Sequence, residues 1–298
     1  MSLSKSEKAF IQSSLRAGSS VRADGRTLLD YRTIALETGV APLANGSARL
    51  NVGKKNNSSP SAYPHLSSAA LDDLQYDYTT LLHKTLAHPS LLPSNLGILR
   101  SKKSWLLVLD LVVQSDCGNV HDALFMAARA ALWDTKVPRT RSIEYRMAKG
   151  REEGGAGDMD VDEERQSGFD MRQVQTATDI ELEDYWDEGD ILDGRDKWPV
   201  GITLNLLPPA HFLDATTHEE TATDFKLLLV YSFSPNGESS LQGMRLLGSS
   251  ELKLEQIRGL LQAGEKYASE LYTALNARLK EEDVRRNEKA RLKFTAVR

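Results

Sequence analysis

The sequence predicts a fold of mixed helices and strands, and three patterns support this. Apolar residues recur at helical spacing in two stretches, at 71, 74, 78, 81, 82 and 86, and again between 254 and 279. Short apolar runs such as PVGITLNLL and FKLLLVYSF are bounded by Pro, Asn and Ser, which is typical of strands. The 298 residues, 40% of them hydrophobic, suffice to bury a sizeable core.

The first half should contain three helices with strands between them. LSKSEKAFIQSSLR (3–16) predicts a short N-terminal helix, and YRTIALETG and GSARLNVG alternate as strands do. A helix covers the periodic stretch from 71, and SWLLVLDLVV predicts a buried strand. The helix that follows, from Val120 to Trp133, is rich in alanine on one face and can pack closely on a sheet.

The second half should be a sheet followed by one long helix. PVGITLNLL, AHFLDAT, FKLLLVYSF and LQGMRLLG read as strands, and Pro235-Asn236-Gly237 predicts a hairpin turn between the last two. From 254 to 292 the pattern predicts a long amphipathic helix, docked by a stripe of apolar residues. Its charged end, from Lys280 onward, is expected to fray or to contact a partner.

Residues 147–197 predict a disordered acidic insert, because they are rich in Gly, Asp, Glu and Gln with few periodic apolar residues. Between 152 and 196, 17 acidic and three basic residues give a local charge of −14, which leaves +9 on the rest of a chain whose total is −5. A basic body is compatible with a polyanion partner, and the alternative is an ordinary charged surface with a solvated loop.

Composition excludes several classes of protein. Cys117 is the single cysteine, so no internal disulfide forms, and no Cys/His spacing of the zinc type occurs. No stretch approaches the roughly 20 apolar residues of a membrane span, and MSLSKSEKAF has no signal-peptide character. The sequence predicts a reducing compartment, no membrane insertion and no cofactor.

The stretch from Cys117 to Ala123 suggests an anion site, because a Gly-Asn turn into a helix presents free N–H groups. Asn119 and Asp122 have the spacing of a capping box, in which each side chain bonds the backbone N–H of the other residue. We therefore expect the Asp122 carboxylate to occupy this helix end and to repel an incoming phosphate.

Four stretches together resemble the RNase PH family, and more closely its branch in the eukaryotic RNA exosome ring: VRADGR (21–26), NGSARLNVG (45–53), LDLVVQSDCGNVHDALFMAARAAL (109–132) and FLDATTHEE (212–220). The resemblance implies an α+β, RNase PH-like fold with two sheet-and-helix layers, of the ribosomal protein S5 domain 2-like kind. The chain would then divide into an N-terminal helix and lead-in (1–26), a first half (27–146), the insert (147–197) and a second half (198–298).

The resemblance also implies partners and a location. Members of this branch form a hetero-hexameric ring, so the expected partners are other RNase PH-like ring subunits, exosome cap proteins and RNA. The assembly acts in 3′ to 5′ RNA processing, including maturation of ribosomal RNA. The expected location is the nucleus and nucleolus, and also the cytoplasm.

One departure from the family is large. Between NVGK and SPSAYP the family pattern has two further strands, where this chain has only the short bridge from Lys55 to Ser59. Loss of two adjacent strands would expose backbone groups and the helix beneath them. We therefore expect that the sequence derives from an incomplete gene model, and that the chain as written is poorly soluble.

The candidate site residues argue against catalysis. Active family members grip phosphate with an arginine, and alignment on Ala123 places His121 at that position and Asp122 after it. A neutral histidine cannot replace the guanidinium fork. Asp214, Glu219 and Glu220 lack the spacing of the catalytic aspartates. We expect no catalytic residue and regard Asn119, His121 and Asp122 as a degenerate phosphate loop.

Other candidates are weaker still. Asp214, His218 and Glu219 could be drawn as a metal site, but their spacing favours the N-cap and first turn of a helix. Lys84, Lys102 and Lys103 could contact RNA phosphates, with solvated lysine as the alternative at each position. These residues favour a non-catalytic exosome ring subunit. The alternatives are an active phosphate-dependent exoribonuclease and a free-standing adaptor whose acidic insert recruits partners.

Overall fold

The computed structural model describes residues 3–17, 22–53, 62–99, 102–143, 179–182, 189–234, 236–249 and 251–296. The helices are α1 (Lys5–Arg16), α2 (Ser68–Leu86), α3 (Val120–Asp134), α4 (Thr217–Ala222) and α5 (Leu254–Ala296). The strands are β1 (Ile34–Thr38), β2 (Ala48–Val52), β3 (Gly97–Leu99), β4 (Lys103–Ser104), β5 (Lys136–Val137), β6 (Thr140–Ile143), β7 (Asp179–Leu182), β8 (Asp190–Ile191), β9 (Val200–Leu207), β10 (Ala210–Phe212), β11 (Phe225–Phe233) and β12 (Ser239–Gly248). Among these residues, no helix is both long and apolar enough to cross a membrane.

The core is built on a four-stranded antiparallel sheet of order β10-β9-β11-β12. Every residue of β9 is buried, because helices cover both faces of the sheet. On one face, Leu229 of β11 packs with Leu271 and Leu275 of α5. On the other face, the Gly201 backbone of β9 approaches the Phe125 ring of α3, where a Cβ would lie 2.4 Å from the ring.

The second half confirms the predicted elements. The four predicted strands correspond to β9, β10, β11 and β12, and the hairpin joins β11 to β12, although Pro235 lies outside the described residues. The long helix α5 docks by the predicted stripe, with Ala268, Leu271 and Leu275 buried and Leu279 continuing it.

The predicted fraying of α5 from Lys280 onward is wrong for its next two turns. Glu282 is only 2% exposed, and Asp283 Oδ2 accepts a hydrogen bond of 3.0 Å from the indole N–H of Trp133. Arg286 forms an ion pair with Asp134 at the end of α3. The charges in this part of α5 are therefore used to dock it on α3.

The first half departs from the prediction at one element. Within the described part of the chain, β1 and β2 pair with each other and with no other strand, and α2 and α3 form as expected. The buried strand predicted for SWLLVLDLVV (104–113) does not form: Ser104 ends β4, and the stretch from Trp105 to Ser115 is extended but belongs to no sheet of the described residues. Its residues alternate between half-buried and exposed, so Leu106 and Val112 are 86% and 82% exposed. The burial prediction failed because the described structure supplies neither a neighbouring strand nor an outer cover.

Part of the predicted acidic insert is ordered. β7 pairs with β6, and β8 pairs with β5. Leu192, inside the range predicted for the insert, is buried against Trp198 and Val137. At this end of the acidic tract Leu192 packs on the body, whereas its neighbour Ile191 is exposed. The prediction of disorder for 144–178 and 183–188 falls outside the described residues.

Candidate functional site

The candidate anion site is the N-terminal end of α3, which follows the turn from Cys117 to Asn119. Gly118 and Asn119 both have left-handed backbones, with φ of 89° and 60°. A Cβ built on Gly118 would lie 2.5 Å from the Ala215 carbonyl oxygen. Glycine and asparagine therefore allow the turn to press against the segment that leads into α4.

The capping box predicted for Asn119 and Asp122 is wrong. The Asn119 N–H donates to Glu220 Oε1 at 3.1 Å, so the carboxylate at this position comes from α4. The Asn119 side-chain amide donates to Asp122 Oδ2 at 3.0 Å and to Asp214 Oδ1 at 3.2 Å. A capping residue normally has an extended backbone, and the left-handed backbone of Asn119 leaves the helix without a side-chain cap.

Asp122 points into the core and is fully buried. Its Oδ1 accepts a hydrogen bond of 2.7 Å from the Thr203 hydroxyl, and its Oδ2 accepts one of 3.4 Å from the Tyr31 hydroxyl. Burial raises the pKa of Asp122 to about 7. The prediction that Asp122 occupies the helix end and repels phosphate there is therefore wrong. The carboxylate at the helix end is Glu220, which also pairs with Lys226 Nζ at 2.9 Å.

Asp214 is the centre of a buried ionic cluster. Its Oδ1 accepts from Arg32 Nη2 at 2.6 Å, and its Oδ2 accepts from Arg32 Nε and Arg26 Nη1, both at 2.9 Å. Burial alone would raise the pKa of Asp214, but the hydrogen bonds and charge of Arg32, with the charge of Arg26, hold it below the ordinary value. Arg32 also donates to the carbonyls of Cys117 and Gly118, at 2.6 and 2.9 Å, and so ties the turn to Asp214.

A second buried ion pair joins Arg22 to Glu219. The guanidinium donates to both carboxylate oxygens, with Nε at 2.8 Å from Oε1. The Thr216 N–H donates to Glu219 Oε2 at 2.7 Å, at the start of α4. Burial alone would raise the pKa of Glu219, but these partners lower it. A helix begins here as expected, with Glu219 in its first turn, but its N-cap is Thr216 and not Asp214.

Sequence reasoning missed these pairs. VRADGR and LDATTHEE each contribute to the family resemblance, but the sequence analysis did not predict a contact between them. The signal for that contact was their opposite charge, basic in the first stretch and acidic in the second. Because Arg22, Arg26 and Arg32 all bond carboxylates or carbonyls of the chain itself, none of them is free to grip a phosphate.

His121 lies on the side of α3 that faces α2. Its ring meets the Tyr78 ring edge-on, with centroids 5.1 Å apart. Burial, followed by the charges of Lys226 and Arg245, lowers the pKa of His121 to about 4, so the ring is neutral at physiological pH. Its Nε2 is buried and has no hydrogen-bond partner in the described part of the chain. The residue at the family's arginine position is therefore packed against a helix.

The predicted RNA-contacting lysines lie on two elements. Lys84 is exposed in the last turn of α2, Lys102 lies in the turn between β3 and β4, and Lys103 begins β4. Their role in RNA binding stays a prediction. Within the described residues, no cluster of three or more His, Cys, Asp or Glu side chains could hold a metal ion.

Comparison with known proteins gives distant matches, although no family model matches the chain. The putative exosome complex exonuclease RRP42 of Dictyostelium discoideum is 24% identical over 216 residues, covering 48% of this chain and 66% of the relative. The exosome complex component Rrp42 of Methanocella arvoryzae is 23% identical over 277 residues, covering 84% and 88%. The chain thus spans just under two thirds of the first of these relatives.

The fold is also shared with solved structures. A chain of the Archaeoglobus fulgidus exosome with RNA bound to the active site matches with a TM-score of 0.61 at 19% identity, covering 90% of this chain and 97% of the other. These matches confirm the family resemblance at the level of distant homology and confirm a mixed α+β fold.

Proposed function

We propose that this distant member of the RNase PH family, a homologue of the Rrp42 proteins, is a non-catalytic subunit of an RNA exosome ring. In this role it supports neighbouring ring subunits and cap proteins around the path of the RNA. Its contribution to RNA processing, including ribosomal RNA maturation, is then structural.

One observation carries the non-catalytic part of the proposal. Arg22, Arg26 and Arg32, which lie around the α3 turn and the start of α4, are all bonded within the chain. His121, at the family's arginine position, is neutral and packed on Tyr78. Phosphorolysis requires a cation that can hold the attacking phosphate. Glu220 instead accepts the Asn119 N–H at the helix end, where it opposes an anion.

In this role the chain would contact RNA through its phosphates, without sequence preference. We propose Lys84, Lys102 and Lys103, all exposed, as residues that line part of the RNA path. We further propose that the protein acts in the nucleus and nucleolus, and also in the cytoplasm.

Fractionation of the native protein tests ring membership. Size-exclusion chromatography of a gentle cell extract should show the chain co-eluting with several related subunits, identified by mass spectrometry. Elution as a lone monomer at all salt concentrations would reject ring membership and favour the adaptor function.

An active phosphate-dependent exoribonuclease is the second candidate. It is favoured by the names of the matched proteins, one a putative exonuclease and one an exosome with RNA in its active site. The difference between the two candidates is whether this chain itself releases nucleoside diphosphates from RNA.

A further inference from the structure

A feature to which the proposed function gives no role is a pair of buried carboxyl groups that share one amide. Asp122 of α3 and Asp214, in the segment before α4, are both fully buried, and Asn119 between them is only 4% exposed. The Asn119 Nδ2 group donates to Asp122 Oδ2 at 3.0 Å and to Asp214 Oδ1 at 3.2 Å. A single neutral donor therefore lies between two acidic groups in the core.

The two carboxyl groups have different partners. Asp214 is paired with two arginines, as described above, so its charge is compensated. Asp122 has only neutral partners in the described part of the chain. Its Oδ1 accepts from the Thr203 hydroxyl at 2.7 Å, and its Oδ2 accepts from the Asn119 amide and, at the longer distance of 3.4 Å, from the Tyr31 hydroxyl. A buried carboxylate without a cation is costly, so this arrangement favours the protonated form of Asp122.

The described elements that pack against Asp122 bring no positive charge to it. The segment before β1 faces it with the phenol of Tyr31, whose pKa is raised by burial and by the neighbouring carboxylates, and β9 faces it with the uncharged Thr203. The segment before α4 adds the negative charge of Asp214. His121, the preceding residue on α3, is packed on α2 and is neutral. Binding of a proton is therefore the way in which Asp122 becomes neutral in the core.

The shared amide also joins two strained positions of the backbone. Asn119 and Asp214 have left-handed backbones, with φ of 60° and 44°, and within the described residues they are the only residues other than glycine that do. Such backbones persist only where their surroundings hold them. The hydrogen bonds of the Asn119 amide are therefore part of what keeps the turn closed against the segment before α4.

Ionisation of Asp122 weakens this arrangement, because two negative charges then face one amide. When the turn opens, water reaches Asp122, and its pKa returns from about 7 toward the ordinary value of 3.8. The closed turn binds the proton more tightly than the open turn does. Opening therefore becomes more frequent as the pH rises from about 4 to 7, and it levels off at higher pH.

We propose that Asp122 is a proton-dependent latch, whose protonated carboxyl keeps the turn from Cys117 to Asn119 closed on the segment before α4 and whose ionisation releases that turn. The latch is closed in mild acid and opens locally, with the sheet still folded, as the pH rises to neutrality. This inference rests on the buried contacts of Asp122 and is independent of ring membership and of catalysis.

The reporter for the latch is Cys117, because it is the single cysteine of the chain, is half-buried and begins the turn. Its rate of reaction with dithiodipyridine is measured from pH 5 to 8.5 in the natural chain and in Asp122→Asn, which cannot ionise at this position. The ratio of the two rates cancels the ionisation of the thiol itself. We expect this ratio to rise on the order of tenfold or more between pH 5 and 7 and then to level off.

The matched control for the labelling is Asp110→Asn, since Asp110 is an exposed acid outside the cluster. This variant should react like the natural chain at every pH. A ratio of the natural chain to Asp122→Asn that does not change with pH would overturn the proposal.

Amide exchange in the natural chain separates local opening from unfolding of the whole chain and does not need the variant to fold. After correction for the chemical step, peptides covering 117–123 should exchange on the order of tenfold or more faster at pH 7 than at pH 5. They should also exchange faster than peptides from 225–233 of β11 at each pH, and low urea concentrations should change their rate little, because a local opening exposes little surface. Equal rates in the two regions, or no acceleration at 117–123, would reject the latch.

Discussion

Replacement of Asp122 by Asn should stabilise the protein at neutral pH and have a smaller effect in mild acid. Asp122 is fully buried, and burial raises the pKa of its carboxyl to about 7 from an ordinary 3.8. Between these two values the folded chain keeps a proton that the unfolded chain releases. Stability contributed by this group therefore falls as the pH rises from about 4 to 7.

The size of the effect follows from the pKa difference. The difference between a pKa of about 7 in the folded chain and 3.8 in the unfolded chain corresponds to roughly 4 kcal/mol at pH 8. Asparagine keeps an acceptor for the Thr203 hydroxyl but places an NH₂ group near the donating amide of Asn119, at a cost of about 1 to 2 kcal/mol. The variant should be more stable by roughly 2 to 3 kcal/mol at pH 8, and this gain should vanish near pH 5.

Urea unfolding, followed by tryptophan fluorescence at pH 5, 6, 7 and 8, measures this difference. Asp110→Asn is the matched control, because Asp110 is exposed and the same change there should alter stability by less than about 0.5 kcal/mol at every pH. A difference between Asp122→Asn and the natural chain that is independent of pH would refute the reasoning, since it would mean that Asp122 is ionised in the core.

Three further predictions concern the ion cluster, the long helix and the acidic insert. Asp214→Asn should lower the free energy of unfolding by about 3 to 5 kcal/mol because it leaves the Arg32 charge without its carboxylate. The control Asp224→Asn, at the exposed pair with Lys8, should cost at most about 1 kcal/mol. Similar losses for the two variants in urea melts would contradict a stabilising role of the buried cluster. Leu271→Asp should unfold or detach α5, because the change places a charge in the buried stripe. The control Ala274→Asp lies on the exposed face of α5 and should leave the helix docked. An unchanged melting temperature in both variants would contradict the docking of α5. Limited trypsin digestion should cut first in the acidic tract, at Arg151, Arg165 or Arg172, because the tract has too few apolar residues to offset its ordering entropy. Earlier cleavage at Lys226 or Arg245 of the sheet would contradict the prediction that the tract is disordered.

The sequence predicted most of the second half because local pattern and tertiary environment agree there. FKLLLVYSF has the composition of a strand and becomes β11, covered by helices on both faces. WLLVLDLVV has a similar composition, yet it pairs with no other strand among the described residues. A run of apolar residues indicates that a segment favours a covered, paired strand, but it does not indicate whether a neighbouring strand is present to pair with it.

The sequence predicted the local elements of the candidate site but not the contacts between them. The turn into α3 and the first turn of α4 are local features, and local spacing identified both. The partners of Asp214 lie more than 180 residues away in sequence, at Arg26 and Arg32, and spacing carries no information about such pairs. The left-handed backbone of Asn119 is incompatible with the predicted capping box, and it lies in a turn that presses on Ala215 through Gly118, a contact that spacing in the sequence does not reveal.

Assay of the purified full-length subunit for phosphorolysis tests the central claim most directly. Single-stranded RNA, inorganic phosphate and magnesium are incubated with the natural chain, with His121→Ala and with His121→Arg, and nucleoside diphosphates are quantified by chromatography. We expect none from any of the three, because the arginines beside the turn are already bonded and Glu220 opposes an anion at the helix end. Phosphate-dependent release by the natural chain that disappears in His121→Ala would contradict the non-catalytic function.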